Sequence, residues 1–439
     1  MNSRGLIIAV VVLLALGGVL YWSNHHKPSG QSTATNSAAP PVILKLDQNA
    51  IDQLSLARKG SAPVTLVKAG SGKWQITAPE SFGADQDEVS GVLATLSSLS
   101  ADRLVDNQAS DLKQYGLDDP SVTVDIQSAD HKERKLLLGD NAPAGSDVYA
   151  MLAGDPRVFT LAEFNKSSID KDLNDLRDKH LLTMAPDNVS RVSLQNKTET
   201  IEFARIKDGW QILKPKPLRA DDSVVDELLR TVSEARMDLT GGAGDDAAKG
   251  FAQASPVATV TLTGDRGAQT LEVRKNKDDY YARSSAVGGT YKVDTNLGTE
   301  VAKGLDDFRN KKLFDFGYDD PNRIELHQGA KAWFFLRNGS DWWSNGKKMD
   351  SAGVESLVDQ VRDLQATSFP ESGFSNSDFE IIVVSNDGKR TEKVQISKSA
   401  SACIAKREGE PELYQLGSTA VTDLAAAADA VMPAVRASK

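Results

Sequence analysis

The stretch "KAGSGKWQIT" contains Gly70-Ser71-Gly72-Lys73, which raises the question of a phosphate-binding loop. Such a loop needs Gly-x-x-x-x-Gly-Lys-Ser/Thr, whose backbone N–H groups hold phosphate and whose hydroxyl binds magnesium ahead of a helix. Here Trp74 stands in place of the hydroxyl residue, the first glycine is missing, and "WQIT" alternates like a strand. Two related segments, "KDGW" and "RNGSDW", contain dipeptides that favour hairpin turns. We therefore predict a hairpin turn at Gly70–Lys73.

Three aspartates, Asp85, Asp221 and Asp350, could supply carboxylates for acid–base chemistry. Each stands four residues before the first apolar residue of a helical pattern, a position at which an aspartate accepts a backbone N–H and caps the helix. We interpret all three as helix N-caps. The acidic pairs in "GDDAAKG" and "NKDDYY" lack the ligand series and closing glutamate of a calcium-binding loop.

Residues for nucleophilic or metal chemistry are scarce. The chain has five histidines and one cysteine, Cys403, so no disulfide framework or cysteine-based metal cluster is expected. His131, His180 and His327 are isolated, and no zinc-protease or serine-hydrolase motif occurs. We predict no catalytic residue, no metal ligand, no cofactor and no enzymatic activity. The net charge of -10 argues against nucleic acid as a partner.

The chain contains an internal repeat. Trp74 in "GKWQITAP" and Trp210 in "DGWQILKP" are 136 residues apart, and an aspartate, Asp85 or Asp221, follows each after eleven residues. In the third copy Asp350 is the corresponding aspartate, and we select Trp343 as the corresponding tryptophan, with a connection four residues shorter. These six residues serve as landmarks of a structural repeat rather than as a site.

The elements of each copy follow from hydrophobic periodicity. Apolar residues at i, i+3, i+4, i+7 and i+10 after each aspartate predict an amphipathic helix. Alternating apolar runs predict strands, and a second helical pattern lies near 169–176, 301–308 and 424–431. The strands do not alternate regularly with helices, which favours an α+β fold. We predict three tandem modules at 42–184, 185–316 and 317–439, each a mostly antiparallel sheet with two helices.

Two features suggest contacts between modules or with partners. Arg177 and Lys179 in "LRDKHLL" match Arg309 and Lys311 in "FRNKKLF", where cations suit a helix C-terminus. Because this pattern recurs only where another module follows, we interpret it as a module junction, with a functional basic site as the alternative. A dense aromatic cluster forms either a cross-strand hairpin core or a partner surface: Trp333, Phe334, Phe335, Trp342 and Trp343.

The N-terminus predicts a membrane anchor. Residues 5–22 carry no charge, and at 1.5 Å per residue the segment spans roughly 27 Å, close to the thickness of the bilayer's hydrocarbon core. A cleaved signal peptide is the alternative, but "YWSNHHK" follows in place of a small-residue cleavage site. With Arg4 inside, the body would lie in the periplasm of a bacterium, tethered to the inner membrane by the polar residues 23–41 as a single-pass protein.

The order of motifs resembles the DUF4340 family of bacterial envelope proteins. The resemblance rests on Trp-x-Ile-x-x-Pro at 74–79, "YGLDDP" at 115–120, "LLLGD" at 136–140 and "LRDK" at 176–179. The first module carries the pattern best, and the second and third depart from it. The resemblance implies an accessory role beside an ABC transporter, and it names no reaction and no catalytic residue.

These observations lead to one main hypothesis, a membrane-anchored periplasmic accessory or scaffold protein that binds an envelope or transporter protein. The alternative is a periplasmic module protein that binds a glycan or peptide in a groove between modules. A hydrolase with a non-standard site is a third hypothesis, which predicts a polar cluster in one module only.

Overall fold

Alternating apolar side chains make most of this chain suited to two-sided sheets, since successive side chains of a strand point to opposite faces. The computed structural model describes residues 41–129, 132–143, 145–240, 245–317, 321–399 and 401–434. The predicted anchor at 5–22 and the predicted tether at 23–41, apart from Pro41, lie outside these residues. Among the helices that are described, none is both long and apolar enough to cross a membrane.

The chain divides into two compact units, the first ending at Asp178 and the second beginning at Lys179. The strands of the first unit are β1 (Val42–Lys45), β2 (Ile51–Arg58), β3 (Val64–Lys68), β4 (Trp74–Ala78), β5 (Phe82–Gly83), β6 (Ser98–Ser100), β7 (Arg103–Asp106), β8 (Val122–Ser128), β9 (Glu133–Asn141), β10 (Val148–Leu152) and β11 (Val158–Leu161). Its α-helices are α1 (Gln86–Ser97), α2 (Glu163–Ile169) and α3 (Leu173–Leu176), and its 3-10 helices are Gln48–Ala50 and Lys113–Tyr115.

The second unit contains two large sheets. The strands of the first of these are β12 (Val189–Asn196), β13 (Thr200–Ile206), β14 (Gly209–Lys214), β15 (Leu218–Arg219), β16 (Ser255–Gly264), β17 (Gly267–Asn276), β18 (Asp279–Ser284) and β19 (Tyr291–Val293). The strands of the other are β20 (Arg323–Gln328), β21 (Lys331–Asn338), β22 (Asp341–Ser344), β23 (Lys347–Lys348), β24 (Phe379–Ser385), β25 (Arg390–Lys398), β26 (Cys403–Arg407) and β27 (Leu413–Leu416). The helices are the 3-10 helix Pro186–Asn188, α4 (Asp222–Ser233), α5 (Asp245–Gln253), α6 (Thr295–Glu300), α7 (Leu305–Phe308), α8 (Ser351–Arg362) and α9 (Ala420–Ala430).

The three large sheets share the order of eight strands, and the first sheet has β7 as a ninth strand at one edge. The first sheet runs β5-β4-β3-β2-β8-β9-β10-β11-β7, the second β15-β14-β13-β12-β16-β17-β18-β19 and the third β23-β22-β21-β20-β24-β25-β26-β27. The neighbouring strands pair antiparallel, and β1 with β6 forms a fourth, two-stranded sheet. With nine α-helices in the described residues, the α+β class is confirmed.

Each large sheet has its own hydrophobic core beneath a long helix. The predicted apolar stripes of α1, α4 and α8 are buried, for example Val89, Val225 and Val354. Leu181 packs in the second core and Leu313 in the third, so these cores begin earlier in the chain than the predicted boundaries at 184 and 316.

The predicted pair of helices per module is wrong for the first two modules. The segment near 169–176 is interrupted because Asp172 accepts a hydrogen bond from the Asp175 N–H, at 2.9 Å, and caps a new helix. The segment near 301–308 is interrupted at Gly304, the N-cap residue of α7, whose N–H donates to the Asp307 carboxylate at 2.9 Å. Residues 245–253 add a further helix, α5, whereas the described residues of the third module contain the two expected helices, α8 and α9.

The three landmark aspartates are helix N-caps, as predicted. Asp85 accepts from the Asp87 N–H at 3.1 Å, Asp221 from the Ser223 N–H at 3.1 Å and Asp350 from the Gly353 N–H at 3.0 Å. The backbone N–H of each aspartate also donates, at 2.8 Å, to a carbonyl near the end of the same module: Leu176, Phe308 and Met432. Each aspartate therefore starts the long helix and joins it to the module's last segment.

Substitution of Asp350 by alanine is expected to lower the free energy of unfolding by about 1 kcal/mol, because the Gly353 N–H loses its acceptor. Asp350→Asn should restore most of this loss, since asparagine caps helices about as well as aspartate. Urea denaturation of both variants checks the prediction. Equal losses for alanine and asparagine would show that the carboxylate does not act as a cap.

Candidate functional site

The glycine-rich stretch that suggested phosphate binding is a hairpin turn. Lys68 pairs with Trp74 across β3 and β4, and the Ala69 N–H donates to the Lys73 carbonyl at 2.8 Å. Gly72 has a φ of +82°, a conformation that favours glycine. The segments "KDGW" and "RNGSDW" also join paired antiparallel strands, so all three predicted turns are confirmed.

The landmark tryptophans hold equivalent places in the sheets, with one correction. Trp74 lies opposite Lys68, Trp210 opposite Arg205, and Trp342 opposite Arg337. Trp342 is buried at 2% exposure, whereas the predicted landmark Trp343 is 36% exposed. The choice of Trp343 was wrong because neighbouring residues of a strand point to opposite faces, so a shift of one residue exchanges core for solvent.

Arg177 and Arg309 occupy equivalent backbone positions in their own units. Arg177 forms a β-bridge with Ala84 and stacks on the Phe82 ring at 4.2 Å. Arg309 forms the corresponding bridge with Ala220. In the third module the bridge partner of Met349 is Pro433, which agrees with the missing arginine at the end of that module.

Arg309 lies at a junction between the second and third sheets, which belong to one unit. Its guanidinium is 2.8 Å from the Glu412 carboxylate and stacks on the Phe369 ring at 3.6 Å. Lys216 contacts the same carboxylate at 2.8 Å. The Lys179 and Lys311 backbone carbonyls accept hydrogen bonds, from Met237 at 2.9 Å and from Ala366 at 2.8 Å. At this junction the arginine therefore acts through its side chain and Lys311 through its backbone.

A group of buried and half-buried charges, which the sequence analysis missed, extends this junction. Arg407 contacts Asp315 at 3.2 Å and Glu392 at 3.1 Å, and Arg219 of the second sheet donates to the Asp315 carboxylate. Burial raises the pKa of the Glu392 carboxyl above its ordinary value, although Arg390 and Arg407 oppose the shift. The sequence contained one indication of this group. Glu392 lies two residues before Val394 in β25, so both side chains point to the buried face of the strand.

Tyr414 lies beside these charges. Its hydroxyl donates to the Glu410 carboxylate at 2.7 Å, and burial, with that carboxylate, raises the pKa of Tyr414 to about 12. The hydroxyl is therefore a hydrogen-bond donor at neutral pH and not a base. Since the charges in this region contact one another, the geometry fits a rigid connection between two sheets better than a reaction centre.

A cavity of about 510 Å³ lies on the first sheet. Two pairs of its polar lining groups already contact each other, Ser55 with Thr65 at 3.2 Å and Lys135 with Asp125 at 3.1 Å. No group of three or more His, Cys, Asp or Glu side chains suited to a metal ion occurs within the described part of the chain.

The aromatic cluster divides between the core and the solvent. Trp333, Phe335 and Trp342 are buried in the third core. Phe334 and Leu336 are 42% and 53% exposed, and we call these two residues with Trp343 the outer patch. Leu336 and Trp343 lie opposite each other on β21 and β22, and Phe334 is two residues from Leu336 on the same face.

The outer patch is particular to the third sheet. In the other two sheets, three residues lie at the same distances in sequence from the buried tryptophan and from the residue that pairs with it. They are Thr65, Val67 and Gln75 in the first sheet, and Glu202, Ala204 and Gln211 in the second. Five of these six residues are polar or small, whereas all three residues of the outer patch are large and apolar. Contiguous exposed apolar residues are typical of an interaction surface.

The fold and the landmarks together define a class of protein, one built from successive antiparallel sheets that each carry a capped helix. The chain belongs to the DUF4340 family, a domain of unknown function, whose model matches residues 74–254 and 210–380. The two matches begin at Trp74 and Trp210, the equivalent tryptophans of the first two sheets. No curated protein matches the chain.

Proposed function

We propose that this protein is a membrane-anchored, periplasmic scaffold without enzymatic activity, which binds an envelope protein through the outer patch. The observation that carries the proposal is the exposure of Phe334, Leu336 and Trp343 on one sheet face. The uncharged residues 5–22 support the anchor, and the family resemblance supports a transporter complex as the assembly that is bound.

The outer patch suits a protein partner because its residues are large, adjacent and held by a rigid sheet. Trp343 and Leu336 are held opposite each other by the β21–β22 pairing, so little conformational entropy is lost when a partner covers them. The His327 ring packs edge-on against Phe334, with 5.4 Å between ring centroids, which fixes one side of the patch. Aromatic residues in such a setting contribute strongly to binding.

Crosslinking in intact cells, followed by purification from membranes, tests this function. The full-length protein is expected to recover an envelope protein, and the triple variant with serine at 334, 336 and 343 should recover at least tenfold less. Ile206→Ser is the matched control, because Ile206 is also an exposed apolar strand residue but lies on the second sheet. Failure of the unaltered protein to recover any envelope protein would contradict the proposal.

A further inference from the structure

One edge of β21 is open next to the outer patch. On one side β21 pairs with β20 from Lys331 to Leu336. On its other side β22 pairs only with Leu336–Asn338. Among the described residues no strand pairs with this second side of residues 331–335. The edge is therefore able to accept one more strand over residues 331–335 of β21.

The corresponding edges of the other two sheets are covered. In the first sheet β4 pairs with β3 from Thr65 to Lys68, and in the second sheet β14 pairs with β13 from Glu202 to Ile206. The connection after the buried tryptophan is shorter in the third sheet. Asp350 is eight positions after Trp342, whereas the landmark aspartates of the other two copies are eleven positions after their tryptophans. Its chain turns back after Ser344 at Asn345–Gly346, with φ of 49° and 74°.

The register identifies the backbone groups that face the open edge. In an antiparallel ladder, successive residues direct their N–H and C=O groups to alternate sides. The Arg337 N–H donates to the Asn322 carbonyl and therefore points towards β20. Phe335 and Trp333 are two and four residues before Arg337, so their N–H and C=O groups point the same way. The N–H and C=O groups of Phe334 and Ala332 consequently point away from β20, into the open edge.

We propose that this edge binds an extended segment of the protein partner as an added strand, a mode that rests on the proposed function. Main-chain groups of Ala332 and Phe334 would bind the segment, and the outer patch would contact its alternate apolar side chains. Lys331 already pairs with the Asp429 carboxylate at 2.6 Å, so its charge is compensated within the chain. Lys347, beside the turn at Asn345–Gly346, is exposed to solvent. Charge complementarity with Lys347 therefore favours a neutral or acidic segment.

The first test changes one backbone donor. Ala332→Pro removes an N–H that points away from β20, a position at which a strand tolerates proline. Ala332→Ser is the matched control and keeps the N–H. In the crosslinking experiment the proline variant is expected to recover at least tenfold less partner than the serine variant. Circular dichroism and thermal unfolding verify that both variants fold.

The second test does not depend on a variant that folds. The probe is a fluorescent nonapeptide of alternating valine and threonine with glutamate at both ends, added to full-length protein in detergent. Fluorescence anisotropy is expected to show binding that weakens at least tenfold when the amides on one edge of the peptide are N-methylated. N-methylation on the opposite edge should change it less than twofold. Equal effects of the two methylation patterns, or no binding, would overturn the added-strand mode.

The outcomes separate this inference from the proposed function. If the unaltered protein and Ala332→Pro recover equal amounts of partner, the outer patch remains a binding surface and the added strand is wrong. If no partner is recovered, the proposed function is wrong, and the peptide measurement still decides the edge. Two further outcomes would overturn the inference. If Ala332→Pro converts a dimer to a monomer, a second copy occupies the edge. If the peptide binds only after residues 435–439 are deleted, the chain itself occupies the edge.

Discussion

Replacement of Trp342 by alanine is expected to lower the free energy of unfolding by about 3–5 kcal/mol, the loss typical of a large aromatic residue removed from a core. Trp342 is buried in the third core, where its backbone carbonyl also accepts a hydrogen bond from the Met349 N–H at 2.8 Å. Urea denaturation monitored by circular dichroism measures the loss.

The neighbouring residue supplies the matched control. Trp343→Ala removes the same side chain one residue further along β22, from the solvent-exposed face. Its effect on the free energy of unfolding should stay within about 0.5 kcal/mol, as for most surface substitutions. The same variant should reduce recovery of the protein partner. If the two alanine variants were equally unstable, the assignment of Trp342 to the core and Trp343 to the outer patch would be wrong.

The second large effect is expected at Arg309. Arg309→Ala should lower the free energy of unfolding of the unit formed by the second and third sheets by about 2–3 kcal/mol, since it removes a charge-assisted hydrogen bond and a cation stacked on an aromatic ring. Glu412 would keep Lys216 but lose the arginine at 2.8 Å, and Phe369 would lose its stacked guanidinium. Urea denaturation gives the loss, and hydrogen exchange should show faster exchange of backbone amides at residues 219–221 and 366–369.

Two substitutions control the Arg309 experiment. Lys311→Ala lies in the same "FRNK" motif but keeps the backbone carbonyl that binds Ala366, so a small effect is expected. Arg309→Lys keeps the positive charge but loses the planar guanidinium, which stacks on an aromatic ring and can form two parallel hydrogen bonds. Its loss of unfolding free energy should lie between those of the other two variants. A loss for Lys311→Ala as large as for Arg309→Ala would contradict a side-chain role that is particular to the arginine.

Local patterns in the sequence were sufficient to predict much of the fold. The alternation of apolar residues predicted antiparallel sheets, and the spacing after Asp85, Asp221 and Asp350 predicted three capped helices with buried stripes. These features depend on residues within a few positions of each other, which a single sequence displays directly. The hairpin at Gly70–Lys73 was predictable for the same reason.

The candidate site was predicted only in outline. The aromatic cluster was recognised, but two interpretations remained open because a run such as Trp333-Phe334-Phe335 supplies both faces of a strand. Burial then divided it into core residues and the outer patch. The choice of Trp343 failed for a related reason, since two adjacent tryptophans allow two registers and only strand pairing decides between them.

Composition, periodicity and capping residues in this chain are enough to specify antiparallel sheets, long capped helices and a repeated order of elements, because those depend on contacts between near neighbours. The tertiary structure alone decided which tryptophan is buried, how Arg309 meets Glu412, and that β22 leaves part of β21 open. Those features depend on register and on contacts between residues up to about a hundred positions apart, for which the local pattern carries no signal.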